Sequence, residues 1–152
     1  MFTPESNWSI PDIFPQFSET ETIAIDLETC DPHLMTCGPG WAIGRGYVVG
    51  VGIATADWKG YFPIRHEGGG NLDETLVLRW IKNILSSSKR EVIFHNALYD
   101  VGWLKRERIK VEGKILDTII AAPLIDEHRF SYSLDNLGST YCDEKKDESL
   151  LQ

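Results

Sequence analysis

The chain has 152 residues, 42% of them hydrophobic and 25% charged, the size and make-up of one folded domain and too short for two. No apolar run approaches the roughly 20 residues that cross a bilayer, and three cysteines without a CxxC pair argue against a disulfide framework and for a reducing, cytoplasmic setting. A formal charge of −8 speaks against a surface that grips phosphates through its own lysines and arginines, unless metal ions or a larger partner supply the positive charge.

The opening "MFTPESNWSIPDIFPQF" lacks the basic-then-apolar order of a signal peptide, and Pro4, Pro11 and Pro15 make residues 1–20 read as a loosely packed leader. The first strand is expected over 21–28, in "IAIDLE". Alternation sends Ile23, Ile25 and Leu27 to one face and Ala24, Asp26 and Glu28 to the other. Two carboxylates side by side repel, and beside an apolar sheet one of them stays protonated unless a cation sits between them. A divalent ion meets that need.

"DPHLMTCGPGWAIGRG" follows, a connection long enough to be functional or mobile. Within it Trp41 and Arg45 are candidates to stack on or clamp single-stranded nucleic acid, the alternative being a tryptophan folded onto the core. Cys30, His33 and Cys37, with His66 as the nearest fourth ligand, make a poor zinc set. "YVVGVGIAT" (47–55) and "WKGYFPI" (58–64) read as a hairpin that completes an antiparallel meander with the first strand. Gly50 and Gly52 share a face of it, which implies that something packs closely there.

Gly68 to Gly70 read as a turn, because no GK[ST] follows to make a phosphate cradle. Leu76, Val77, Trp80, Ile81, Ile84 and Leu85 then mark one stripe of a helix, with Asn71 and Glu74 at capping-box spacing. "EVIFHN" (91–96) is a short strand, and Leu98, Val101 and Leu104 continue at helical spacing to the basic run "KRERIK", read as a solvated helix end. His95 is expected to be packed or hydrogen-bonded. "ILDTIIAAPLI" is either a strand or a direct helix entry capped near Asp117, with Pro123 limiting its regularity. "SLDNLGSTYC" is a last short helix, and 143–152, "DEKKDESLLQ", a charged tail. Three strands followed by alternating helix and strand predict an α/β fold, a mixed sheet with helices on its faces.

Asp100 lies four residues after Asn96 in "HNALYD". If Asn96 closes the strand and caps the helix, Asp100 falls in its first turns, near the strand end that carries Asp26 and Glu28. Oxygen-only ligands of this kind suit Mg²⁺ or Mn²⁺, and two such ions can drive phosphodiester cleavage.

"DLE" followed by "HNALYD" resembles the first two motifs of the DEDD 3′-5′ exonucleases, closest to the proofreading domain of phage-type family A DNA polymerases. The resemblance covers residues 21–142 and implies a ribonuclease H-like fold, with a three-strand meander followed by parallel strands. It implies that Asp26 bridges two metal ions, that Glu28 binds the ion carrying the nucleophilic water, and that Asp100 holds the second ion through water. Asn96 would position the 3′ end of a single DNA strand, and Leu34 and Leu116 would pack on its last bases. Asp117 reads as structural. A polymerase domain would follow in the same chain, in the host cytoplasm if the gene is a phage's.

The resemblance also implies a fourth carboxylate, four residues after a tyrosine or histidine. After residue 117 the candidates Tyr132, Tyr141 and His128 are followed at that spacing by Asn136, Lys145 and Tyr132. The chain is therefore read as ending before its third motif, with weak or no activity alone. Rival readings are a stand-alone ribonuclease of the same superfamily and a non-catalytic nucleic-acid-binding or polymerase-docking module.

Overall fold

The computed structural model describes residues 9–11 and 13–142, so the tail at 143–152 and residues 1–8 of the leader lie outside the described residues. In chain order the elements are β1 (Ile23–Cys30), α1 (Leu34–Cys37), α2 (Gly40–Ile43), β2 (Tyr47–Ala54), β3 (Lys59–Pro63) and α3 (Glu74–Leu85). They continue with β4 (Glu91–Phe94), α4 (Ala97–Arg106), β5 (Lys114–Asp117), α5 (Thr118–Ile125) and α6 (Leu134–Tyr141).

The strands form one mixed sheet in the order β3-β2-β1-β4-β5. Short turns can join only antiparallel neighbours, and the β1-β2-β3 half is antiparallel. Parallel neighbours need crossovers, and α3 and α4 precede and follow β4, which runs parallel to β1 and β5. The expected α/β fold is the one observed.

The apolar sides of β1 to β4 build the core. Ile23, Ile25 and Leu27 share it with Val51, Ile53, Phe62, Val92 and Phe94, under Val77, Trp80 and Ile81 of α3 and Trp103 and Leu104 of α4. Phe62 and Trp80 meet at 4.6 Å between ring centroids.

Several local expectations change once packing is in place. Asp73, not Asn71, caps α3, its side chain accepting from the Leu76 amide at 3.0 Å. Asn71 instead brackets His66, accepting from its amide and donating to its carbonyl. Leu76 drops out of the α3 stripe at 47% exposure, and Leu98 out of that of α4 at 75%. The buried side of α4 is Ala97, Asp100, Trp103 and Leu104, so a carboxylate occupies a place where periodicity looked for an aliphatic residue. The connection after β1 holds two single-turn helices. "ILDTIIAAPLI" is both things proposed for it, since β5 passes directly into α5 with Asp117 as cap.

The leader is packed more firmly than its prolines implied. Phe14 and Phe17 join the rings of Trp58, Phe62 and Trp80, and the Trp80 indole donates to the Pro15 carbonyl. Arg90, only 2% exposed, is the anchor. Its guanidinium donates to the carbonyls of Ile84, Glu21 and Ser18 at 2.9, 2.6 and 2.7 Å, tying the end of α3 to the chain that leads into β1. Arg90→Ala strips those carbonyls of their donor and should cost roughly 3 kcal/mol. Arg90→Lys should recover only part of this, because an ammonium lacks the planar fork. Urea unfolding of the three proteins checks both.

Candidate active site

Register decides where the carboxylates meet. β4 pairs with only Ile23 and Ala24 of β1, so farther along that side of β1 the backbone has no strand partner. Asp100 fills the gap. Its Oδ1 accepts from the Leu27 amide at 3.0 Å, between the two residues that carry the other acids. Asp26 and Glu28 stand opposite Gly52 and Gly50 on the open face of β1, and a bulge falls directly after Glu28. Bulges bend a strand and re-aim its side chains, and they gather next to functional sites.

Asp100 is 3% exposed, whereas Asp26 is exposed and Glu28 half-buried. Burial is the main cause that pushes Asp100 from its ordinary 3.8 up to about 7; the Leu27 hydrogen bond opposes it, and the charges of Asp26 and Asp117 reinforce it. The site is thus an anionic corner with one acid fixed and two at its rim. Among the described residues no three acidic, imidazole or thiol groups gather closely enough to hold an ion as they stand. The donor set still fits a hard divalent cation. It is all oxygen, as a hard cation requires, and its buried member is held in place by the Leu27 amide.

The turn into α4 is built around Asn96. It adopts the left-handed conformation (φ 73°, ψ 57°), which asparagine tolerates better than most residues, and its exposed side chain makes no capping bond. Asp117 does the capping from β5, its two carboxylate oxygens accepting from the amides of Asn96, Ala97 and Ile119. This agrees with the structural role read for Asp117. His95 is hydrogen-bonded through Nδ1 to the Thr118 hydroxyl at 2.8 Å, as expected.

Leu34 opens α1 just beyond β1 and is 38% exposed. Leu116 lies in the strand row Ala24, Ile93, Leu116, on the face that carries Asp26 and Glu28. Trp41 stands half-buried in α2, and Arg45 is exposed just beyond it. The Trp41 ring is seated on α4 so closely that a side chain at Gly102 would collide with it. The Arg45 carbonyl accepts from Arg106, six residues and about 9 Å along α4 from Asp100.

The sequence reading passed over a network beside the acids. Tyr99 donates to Asp31 at 2.9 Å, so the Thr29 hydroxyl donates to Tyr99. Asp31 also accepts from the Gly40 amide, which binds β1, α2 and α4 into one block. No spacing rule links residues 29, 31 and 99; only the "DP" turn after β1 marked the place.

Residues 10–151 match the family model described as 3′-5′ exonuclease. The chain is 37% identical to a DNA-directed DNA polymerase of Pseudomonas phage M6, over 99% of its own length and 24% of the relative's. It therefore spans about a quarter of that polymerase. Solved structures of similar fold include Brucella melitensis NrnC with bound Mg²⁺, at 20% identity and a TM-score of 0.59, covering 88% of this chain and 60% of that one. Another is Escherichia coli RNase D, an exoribonuclease involved in structured RNA processing, at 16% identity and a TM-score of 0.60, covering 87% of this chain and 30% of that one. Both support the ribonuclease H-like class.

A carboxyl whose pKa rises on folding binds protons more tightly in the native state. Between about pH 4 and pH 7 it therefore adds stability as the pH falls and removes it as the pH rises. In chelator, the unfolding midpoint should climb on the order of 5 °C from pH 8 to pH 5 through this group. Asp100→Asn should flatten that climb and melt higher than the parent at pH 8. Circular dichroism melts across the range test both.

Proposed function

We propose, from the premise that this chain belongs to the 3′-5′ exonuclease family of A-type DNA polymerases, that Asp26, Glu28 and Asp100 form the metal-holding corner of a nuclease site. The site would act on the 3′ end of a single DNA strand. The observation that carries the reading is the seat of Asp100 on the Leu27 amide, with Asp26 and Glu28 on either side and the buried acid held well above its ordinary pKa.

Two Mg²⁺ or Mn²⁺ ions, when bound, would lower the pKa of a water and stabilise the charge of a leaving 3′ oxygen. The protein's part is placement. Asp100 cannot swing, because its carboxylate is pinned to β1 and its helix begins at the Asp117 cap. Asp26 and Glu28, on the open face, can close on a ligand from the other side. Asn96 lies exposed at the helix start, where a terminal nucleotide would enter. Leu34 beyond one end of β1 and Leu116 across the sheet offer apolar contact to its bases.

The polymerase resemblance supports a proofreading role, with a polymerase unit in the same polypeptide and the cytoplasm of an infected host as the setting. Among the described residues no helix is long and apolar enough to cross a membrane. With three of the family's four carboxylates in view, turnover by this chain alone should be slow.

The test is digestion of single-stranded DNA labelled at either end, in Mn²⁺ or in chelator. The expected result is slow, chelator-sensitive release of mononucleotides from the 3′ end, reduced on the order of 100-fold by Asp26→Ala. Equal rates for parent and variant would remove the assignment. An RNA strand of the same sequence serves as the comparison, and faster loss of RNA would favour the ribonuclease reading.

A further inference from the structure

Tyr61 stands on β3 in one row with Gly52 and Asp26, on the open face of the sheet. Its ring leans over Gly50 rather than Gly52. A Cβ at Gly50 would collide with the Tyr61 hydroxyl and its ring carbons, whereas one at Gly52 would meet nothing nearer than 3.6 Å. The phenol oxygen thus occupies the space that a side chain at position 50 would fill. Gly50 is paired with Glu28, and directly opposed Cβ atoms on antiparallel strands lie about 5 Å apart. The hydroxyl therefore lies over the position paired with Glu28, on the face of the sheet that carries Glu28 and Asp26.

The other side of the hydroxyl is also built. His66 Nε2 lies 2.6 Å from it, with the two rings edge to face. The His66 backbone is held in place by both ends of the Asn71 amide. An ordinary tyrosine phenol keeps its proton at neutral pH. One hydroxyl hydrogen cannot serve two acceptors. If it points toward Glu28, His66 must donate Nε2–H to the phenol, which is the tautomer this contact allows.

We infer that Tyr61, held by His66 and admitted by the absence of a side chain at Gly50, is a positioning residue for the Glu28 carboxylate. The inference rests on the metal-holding role proposed above for Asp26, Glu28 and Asp100. It adds a part of the site that lies on β3, outside both acidic motifs.

Mn²⁺ titration of the 152-residue protein, followed by electron paramagnetic resonance, separates the two ideas. Tyr61→Phe should weaken Mn²⁺ binding about 10-fold with its melting temperature in chelator unchanged, as removal of a group that orients a ligand does. His66→Ala should weaken it less, because the phenol stays but loses its tether. Gly50→Ala should reproduce the Tyr61→Phe loss by displacing the ring. If Asp26→Ala abolishes binding while Tyr61→Phe binds Mn²⁺ like the parent, the inference about Tyr61 is overturned and the acidic corner stands. If Tyr61→Phe lowers the melting temperature alone, the residue is structural and the inference is again overturned. If Asp26→Ala binds as the parent does, the metal reading falls and takes this inference with it.

Discussion

The hydrogen bond from the Leu27 amide to Asp100 is the contact on which the architecture of the acidic corner depends. It exists because β4 pairs with only the first two residues of a β1 strand that is eight residues long. Had β4 run its full length beside β1, that amide would have a backbone partner, and Asp100 would have no polar seat in an apolar region. A buried carboxylate without such a donor would protonate or leave the core. The short strand is therefore what lets an acid replace a hydrophobic residue on the inner side of α4.

Around that contact the molecule spends its polar groups on rigidity. Asp117 ties the ends of β4 and β5 to the starts of α4 and α5 with one carboxylate. Asp31 and Tyr99 join the exit of β1 to the first turn of α4. Neither acid faces solvent as a free charge, and each fixes an element that bears a member of the site. The bulge after Glu28 shifts the register of β1 against β2, which continues through Cys30. Placement on strands and helix starts, rather than on loop tips, suits chemistry that tolerates little misalignment.

The surface farther along the chain is different in kind. Ile120, Leu124, Ile125 and Phe130 are between 65% and 109% exposed, and of α5 only Ala122 is buried. In the core, by contrast, eleven large side chains among the described residues are under 2% exposed. The contrast shows where burial stabilises the domain: between the inner face of the sheet, α3, α4 and the leader, and not around α5.

Much of the protein was legible in its residues. Strict alternation in "IAIDLE" decides which face the two acids take, whatever surrounds them, because side chains on a strand can point only two ways. The change of period after residue 71 and the spacing of "HNALYD" likewise place α3, α4 and the pair Asn96 and Asp100 on their elements. Identity at the level of family followed from the same short motifs. Other features required the folded chain. That Asp73 and not Asn71 caps α3, that Leu98 faces water, that Trp41 packs on Gly102 and that Arg90 anchors the leader all depend on which surfaces meet. So does the seat of the Tyr61 ring over Gly50, since it depends on how a side chain of β3 leans across β2. Local pattern determines the direction in which a side chain leaves its own strand or helix. Contacts between residues tens of positions apart are decided by register and packing, which no window of sequence contains.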